Sequence, residues 1–290
     1  MEMKIGIAGA SGQLGSEVLR ILSRAAPLQQ IIAISRTPSS ALGRFGDYDQ
    51  PETLLSAYAG LDRLLLIPSA DLRPGARSRQ AIAAIDAAVA AGVKHIFLLS
   101  ATGTREKAEP AMGAAYWAGE QRLLTSGAKA WTILRMNYFA ETFADQAGMA
   151  ASTGHVPGLA ENRVAFVSRD DIAAACAGAL STDGHAGAIY NLSGPDRVTG
   201  AERAALLAEF TGQPVDYAVL AEEQLRSAMN GAGLPPFVID AVASMHAAQA
   251  EGAYDIVTGD VEKLAGRAPR ALRDVLAGRK FAPPTNTVAA

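Results

Sequence analysis

Three glycines stand at three-residue intervals near the start of the chain, in the segment IGIAGASGQLG (residues 5–15). An apolar run that predicts a β-strand precedes them, and an amphipathic helical pattern follows. Gly9 allows a sharp turn where the strand ends, Gly12 lets backbone N–H groups approach an anion, and Gly15 lets the helix pack closely on the sheet. Because a helix N-terminus carries partial positive charge, this loop predicts a site for the pyrophosphate of a dinucleotide cofactor, with a structural tight turn as the alternative. The residues assigned to that site are Gly9, Ala10, Ser11, Gly12, Gln13, Leu14 and Gly15.

The residues after the second predicted strand, in the segment ISRTP (residues 34–38), bear on the choice of cofactor. An acidic residue at this position commonly accepts a hydrogen bond from the ribose 2′-OH of NAD. This chain instead has Arg36, followed by Thr37. A guanidinium can pair with a 2′-phosphate and stack on adenine, so the sequence predicts NADP(H) rather than NAD(H). A solvated loop charge is the alternative interpretation of Arg36.

Further polar positions follow the ends of later strands. Asp47, in GDYDQPETL, is assigned to contact with the adenine amino group. Pro68 and Ser69 follow one buried strand, and Ser100 ends another. Since the C-terminal ends of parallel strands line the ligand crevice, all four residues are assigned to the cofactor site. For the two serines, a simple position at the end of a strand is the alternative.

The elements that must position these groups alternate between strands and helices through about residue 140. The predicted strands are apolar throughout rather than alternating, which indicates a sheet covered on both faces and therefore parallel. The predicted fold class is α/β: a Rossmann doubly wound parallel sheet with a smaller mixed α+β C-terminal substrate domain.

The regularity of this pattern fades after about residue 140. We expect residues 1–150 to form the NADP(H)-binding Rossmann domain, with residues 170–185 packing back on it. Residues 151–290 are expected to be mostly a substrate-binding region. The final segment APPTNTVAA is rich in Pro and Thr and lacks periodicity, which predicts a loose tail.

Composition argues against several classes of protein. The 290 residues carry a formal net charge of −3 and their basic residues are scattered, which argues against a nucleic-acid partner. The single Cys176 excludes an intrachain disulfide, and the four histidines lack metal-ligand spacing, so no metal is predicted. No apolar run reaches about 18 residues and no signal-peptide pattern opens the chain, so we expect no membrane span and a cytoplasmic protein.

Several segments occur in an order that resembles a known family: GASGQLG, ISR, GDYDQPETL, AAGVKHIFLLSA, WTILRMNYF, SRDDIAAA and YNLSGP. From Met3 to about Leu276, the chain resembles the NmrA-like branch of atypical short-chain dehydrogenase/reductases. Within that branch it is most similar to the group of bacterial NADPH:quinone oxidoreductases and triphenylmethane-dye reductases. The resemblance implies NADPH, a small substrate domain and direct hydride transfer to a flat, electron-poor acceptor. Some members of the branch have lost turnover and sense the cofactor.

The usual catalytic pair of short-chain dehydrogenases is Tyr-x-x-x-Lys, in which the lysine lowers the pKa of the tyrosine. Here Tyr116 is followed four residues later by Glu120. A carboxylate at that position is expected to raise the pKa of a phenol, which disfavours a standard alcohol dehydrogenase. Reduction of a quinone or dye mainly requires positioning, so Tyr116 is kept as the catalytic candidate, as a hydrogen-bond donor or stacking ring. A place on the helix surface is the alternative.

The segment LRMNYFAETF is expected to leave the sheet at the same crevice, which makes Asn137, Tyr138 and Phe139 candidates for the substrate-site wall. Phe237 and Met245, in the C-terminal region, are candidates for the floor of an apolar acceptor pocket. Ordinary packing is the alternative for these side chains. The leading hypothesis is an NADPH-dependent reductase of a quinone or similar conjugated or cationic aromatic acceptor. A non-catalytic NADP(H)-sensing regulator and a biosynthetic reductase or epimerase are the alternatives, and monomer and homodimer are both open.

Overall fold

The apolar runs of the sequence form a seven-stranded parallel sheet, in which the third, second and first strands of the chain are followed by the fourth, fifth, sixth and ninth. The computed structural model describes residues 2–25, 30–38, 42–107 and 112–279. The strands are β1 (Lys4–Ala8), β2 (Gln30–Ser35), β3 (Arg44–Phe45), β4 (Arg63–Leu66), β5 (His95–Ala101), β6 (Trp131–Met136), β7 (His155–Gly158), β8 (Arg163–Val164), β9 (Ala188–Leu192), β10 (Val198–Thr199) and β11 (Asp216–Val219). The predicted doubly wound α/β fold is confirmed.

Helices cover both faces of this sheet. They are α1 (Gln13–Ala25), α2 (Leu54–Tyr58), α3 (Ala76–Ala90), α4 (Met112–Thr125), α5 (Ala140–Ala144), α6 (Ala147–Thr153), α7 (Arg169–Ser181), α8 (Gly200–Thr211), α9 (Glu222–Gly231), α10 (Pro236–Ala250), α11 (Asp260–Ala265) and α12 (Leu272–Ala277). One apolar core lies between the sheet and α1, α7 and α11, and a second lies between the sheet and α2, α3 and α4. All four residues of β4 are buried, as expected for a strand covered on both faces.

The chain after residue 150 divides its elements between two places. The pairs β7–β11 and β8–β10 form two small sheets, which pack with α5, α6, α8 and α12 around a third apolar core. In contrast, α7 packs on α1, and β9 joins β6 as the last strand of the large sheet. The segment 170–185, expected to pack back on the Rossmann layer, is formed largely by α7. The predicted tail lies outside the described residues.

Two further results concern the described part of the chain only. None of its helices combines the length and the apolar character that a membrane crossing requires. Within these residues, no group of three or more His, Cys, Asp or Glu side chains is arranged to hold a metal ion.

Candidate active site

The glycine loop connects the end of β1 to the start of α1. Gly9 has a φ of +85°, a conformation that side-chain-bearing residues rarely adopt. A Cβ atom at Gly15 would collide with the carbonyl oxygen of Gly9, so close packing of the helix requires glycine there. A Cβ atom at Gly12 would instead make only an ordinary contact, 3.4 Å from the same oxygen. The fold therefore requires Gly9 and Gly15, whereas the absence of a side chain at Gly12 leaves room for a ligand.

An open cleft of about 1750 Å³ runs along the C-terminal ends of the strands in front of this loop. The predicted residues that line it are Gly9, Ser11, Gly12, Gln13, Leu14, Gly15, Arg36, Asp47, Pro68, Ser69, Tyr116 and Phe139. Five assigned residues do not line it: Ala10, Ser100, Asn137, Tyr138 and Phe237. The first turn of α1 contains no acidic side chain, so the partial positive charge of its N-terminus is not neutralised from within that turn. The size, position and charge of the cleft suit a dinucleotide.

The wall of the cleft beyond β2 carries Arg36, whose side chain is exposed. The backbone N–H of Thr37 donates to Ser35 Oγ at 3.2 Å, which shapes the turn that presents the arginine. Asp47 lines the same wall, and its Oδ1 atom accepts a hydrogen bond of 3.0 Å from the Asp49 backbone. This carboxylate therefore also shapes its own loop.

A chain of polar contacts holds the loop after β4. Ser69 Oγ donates to Gln80 Oε1, and Gln80 Nε2 donates to Asp49 Oδ1 at 2.8 Å. Gln80 is buried on α3, and all three residues line the cleft. Gln80 was not predicted from the sequence, because its helical position shows no local signal for a polar function.

Ser100 and Glu120 face into the protein rather than into the cleft. The Ser100 hydroxyl is fully buried and donates to Glu120 Oε1 at 2.6 Å. Glu120 is itself 1% exposed and forms a bidentate pair with Arg135, at 2.9 and 2.6 Å. This pair raises the pKa of the Arg135 guanidinium. Ser100, assigned from the sequence to the cofactor site, does not line the cleft but lines a smaller cavity of about 420 Å³ beside it.

Tyr116 lies on α4 where three cavities meet. It lines the cleft, the 420 Å³ cavity and a third cavity of about 580 Å³. Arg77 Nη1 donates to the Tyr116 hydroxyl at 3.4 Å, and the guanidinium carbon of Arg77 is 5.5 Å from the ring centroid. The charged group that contacts Tyr116 is thus a cation on α3. The carboxylate of Glu120, expected to influence the phenol, is engaged by Arg135 and Ser100.

Phe139 and Arg169 form another part of the cleft wall. The guanidinium carbon of Arg169 lies 5.4 Å from the Phe139 ring centroid, a cation–π distance. Arg169 is the first residue of α7, whose N-terminus is capped by Ser168 Oγ accepting from the Asp171 backbone N–H at 3.0 Å. Among the described residues, no carboxylate forms a salt bridge with the Arg169 side chain. Arg169 was not predicted, because only the return of α7 to the sheet brings it to the cleft.

Asn137 and Tyr138 connect the sheet to the C-terminal region instead of facing the cleft. The Asn137 amide donates to the backbone oxygens of Tyr254 at 3.2 Å and Ile256 at 3.3 Å. The Tyr138 ring packs edge-on against Phe166 and Tyr254, and burial raises the pKa of Tyr138 to about 12. Neither residue lines the cleft, although the sequence assigns both to the substrate-site wall.

Phe237 and Met245 lie at different places on α10. Phe237 is in the first turn and lines none of the three cavities described above. Met245 follows eight residues later, about 12 Å along the helix, and lines the 580 Å³ cavity. Phe237, assigned from the sequence to the acceptor pocket, therefore does not line the cavity that Met245 lines.

Comparison with known proteins connects this geometry to reductases. A family model described as NAD(P)H-binding matches residues 9–183. The NAD(P)H azoreductase of Xenophilus azovorans is 32% identical over 273 residues, which are 91% of this chain and 93% of that protein. The NADPH-dependent quinone oxidoreductase of Escherichia coli, solved in complex with NADPH, gives a TM-score of 0.86 and is 32% identical over 94% of this chain and 98% of its own. The triphenylmethane reductase of Citrobacter sp., solved with NADP(H), gives a TM-score of 0.83 at 29% identity over 95% of this chain and 99% of its own.

Proposed function

The chain belongs to the NAD(P)H-binding family, and from this premise we propose that it is an NADPH-dependent reductase that transfers hydride to a quinone or a similar conjugated aromatic acceptor. The resemblance to NmrA-like reductases expected from the sequence is confirmed. The observation that carries the proposal is that one cleft contains both the open backbone at Gly12 and the exposed Arg36. The acceptor class is supported by the named activities of the relatives, which are quinone, azo and triphenylmethane reductases.

The residues around the cleft have distinct proposed roles in holding NADPH. The backbone N–H groups of the glycine loop and the N-terminus of α1 receive the pyrophosphate. Arg36 pairs with the 2′-phosphate of the adenine ribose, and Asp47 contacts the adenine. Arg169, which lines the cleft beside Phe139, contributes positive charge toward the cofactor.

Bound NADPH would supply the hydride, and reduction of a quinone to a hydroquinone takes up one hydride and one proton overall. The protein's own contribution is positioning in a partly apolar site. Tyr116 presents a hydroxyl and a ring at the junction of the cavities, where it can donate a hydrogen bond to an acceptor oxygen. Glu120 takes no part in this step, because its carboxylate is engaged by Arg135 and Ser100.

The proposal is tested by following the loss of NADPH absorbance with purified protein and four acceptors: a benzoquinone, a naphthoquinone, a cationic triphenylmethane dye and an aromatic aldehyde. We expect turnover with the first three and little with the aldehyde, since no lysine stands four residues after Tyr116. NADH, measured in parallel, is expected to be the poorer donor. Tight NADP(H) binding without turnover of any acceptor would contradict the proposal and favour a cofactor-sensing regulator.

A further inference from the structure

We propose that the 580 Å³ cavity beside Tyr116 binds the acceptor, and that Arg105 and Lys107 on its wall favour aromatic acceptors bearing an anionic group, such as a sulfonate or carboxylate. This inference rests on the proposed function. It assigns the acceptor to residues that were not predicted from the sequence, apart from Tyr116 and Met245.

The cavity lies between the loop after β5, the start of α4 and the end of α10. Its apolar surface includes Met245, Ala248, Ala253 and Tyr254. A concave site with a mostly apolar lining and a few polar groups is typical of small-molecule binding. Tyr116 lines both this cavity and the cofactor cleft, so an aromatic molecule here would lie next to the cleft.

The two charged residues that line the cavity are both cations, and the exposed Glu106 between them in the chain is not a lining residue. Arg105 and Lys107 line it, and no described lining residue is acidic. Both cations pair with one carboxylate, that of Glu251, whose oxygens lie 2.9 and 3.0 Å from Lys107 Nζ. Two cations sharing one carboxylate leave a formal charge of +1 on this cluster. The three side chains are 37–45% exposed, so solvent screens the charge but leaves it accessible to a ligand.

The two threonine hydroxyls on the same loop as these cations are directed at the backbone. Thr104 Oγ1 donates to the Ala101 carbonyl at 2.6 Å, and Thr102 Oγ1 donates to the Arg135 carbonyl at 3.3 Å. Their protons are therefore committed within the protein. Within this loop, polar recognition of an acceptor substituent consequently falls to Arg105 and Lys107.

A matched pair of fluorescent probes tests the inference by binding alone. 8-Anilino-1-naphthalenesulfonate and N-phenyl-1-naphthylamine share one aromatic scaffold, and only the first carries a sulfonate. Each probe is titrated into protein saturated with NADP⁺. The affinity for the sulfonate probe is expected to fall about twofold to fivefold in Arg105→Gln and in Lys107→Gln, which is the range expected for solvent-exposed charge pairs. The neutral probe is expected to be unaffected. Glu251→Gln should have the opposite effect and raise the affinity for the sulfonate probe by a similar factor.

Arg273→Gln is the matched control variant, because Arg273 is an exposed arginine paired with Glu209 and lines none of the three cavities. The opposite signs expected for Lys107→Gln and Glu251→Gln separate a charge effect from a general loss of structure, which would weaken both probes. Raising the salt concentration should reduce the difference between the probes. Equal changes for the two probes in every variant would overturn the inference.

Turnover distinguishes this inference from the function on which it rests. The kcat/KM ratio of 1,4-naphthoquinone-2-sulfonate to 1,4-naphthoquinone is compared between variants, which cancels the intrinsic reactivity of each quinone. The ratio is expected to fall in Arg105→Gln and Lys107→Gln and to rise in Glu251→Gln. A constant ratio with good reduction of the neutral quinone would refute anion selection and leave the proposed function intact. Failure to reduce any quinone would refute both.

Discussion

The carboxylate of Glu120 on α4 accepts two hydrogen bonds, of 2.9 and 2.6 Å, from the guanidinium of Arg135 on β6. Glu120 stands where ordinary short-chain dehydrogenases have their lysine, four residues after the tyrosine. In this protein the side chain at that position pairs with Arg135 and Ser100 instead of contacting the tyrosine. The cation that contacts Tyr116 is supplied by Arg77 on a different helix.

Removal of Glu120 is expected to destabilise the protein. Glu120→Ala leaves the partly buried Arg135 charge and the Ser100 hydroxyl without their partner, so we expect the free energy of unfolding to fall by about 2–4 kcal/mol. Glu120→Lys, which recreates the Tyr-x-x-x-Lys spacing, should lower the free energy of unfolding further, because it places a second cation beside Arg135. Urea denaturation measures the free energy of unfolding of both variants. Glu209→Ala, at an exposed residue, is the control and is expected to have only a small effect. A gain of alcohol dehydrogenase activity in a stable Glu120→Lys protein would contradict this interpretation.

Two glycines of the loop should respond differently to alanine. Gly12→Ala makes only an ordinary contact, so its melting temperature should stay within about 2 °C of the parent, as for substitutions that disturb no packing. Its dissociation constant for NADPH should nevertheless rise at least about tenfold, because the added methyl group obstructs the approach of the pyrophosphate. Gly15→Ala collides with the Gly9 backbone and should lower the melting temperature markedly. Thermal denaturation and NADPH titration of both variants check this; unchanged NADPH affinity in Gly12→Ala would be the contrary result.

Substitution of Arg36 and substitution of Arg169 should change the affinity for NADPH and NADH in different ways. Arg36→Ala removes the partner of the 2′-phosphate, so the KM for NADPH should rise about tenfold to 100-fold while kcat and the KM for NADH change little. Arg169→Gln should weaken NADPH and NADH alike, by about threefold to tenfold, if its charge serves groups common to both. Steady-state kinetics with both donors separates these effects. A parallel loss of NADPH and NADH in Arg36→Ala would argue against recognition of the phosphate.

Tyr116 is expected to help position the acceptor without being essential for proton transfer. Tyr116→Phe keeps the ring and should lower kcat/KM for a naphthoquinone by less than about tenfold, since water can supply the proton. Tyr116→Ala also removes the ring that lines all three cavities, so it should lower kcat/KM further, chiefly by raising KM. Steady-state assays of both variants make the comparison. A loss above about 1,000-fold in Tyr116→Phe would instead identify the hydroxyl as the required acid.

His246 should make folding sensitive to mild acid. Burial, aided by the nearby charge of Arg203, lowers the pKa of His246 from 6.5 to about 4, so the folded protein holds it neutral while the unfolded chain protonates it first. The free energy of unfolding is therefore not reduced by protonation of His246 above about pH 6.5. It falls by about 3 kcal/mol as the pH is lowered to about 4, because the unfolded chain takes up a proton that the folded protein does not. His246→Leu should flatten this dependence. Urea denaturation at about pH 7.5 and about pH 5 measures it, with the partly exposed His155→Gln as control; an unchanged pH slope in His246→Leu would contradict the prediction.

Much of the fold and much of the cofactor cleft could be predicted because their signals are local. Short apolar runs such as LLLI (residues 64–67) and IFLL (residues 96–99) identify the strands, and the spacing of Gly9, Gly12 and Gly15 encodes the loop within seven residues. The position of Arg36 directly after β2 follows from the length of that strand. Once parallel strands are recognised, all residues at their C-terminal ends are directed to one edge of the sheet.

The sequence by itself therefore determined the Rossmann layer, the cofactor edge and the cation at Arg36. Only the tertiary structure decided which way the neighbouring side chains turn: Ser100 toward Glu120, 20 residues away, and Asn137 toward Tyr254, 117 residues away. It alone also brought the distant Glu251 into contact with Arg105 and Lys107, which line one cavity. The physical reason is that the pairing and burial of a polar side chain depend on partners from remote segments, and no pattern within a few residues encodes them.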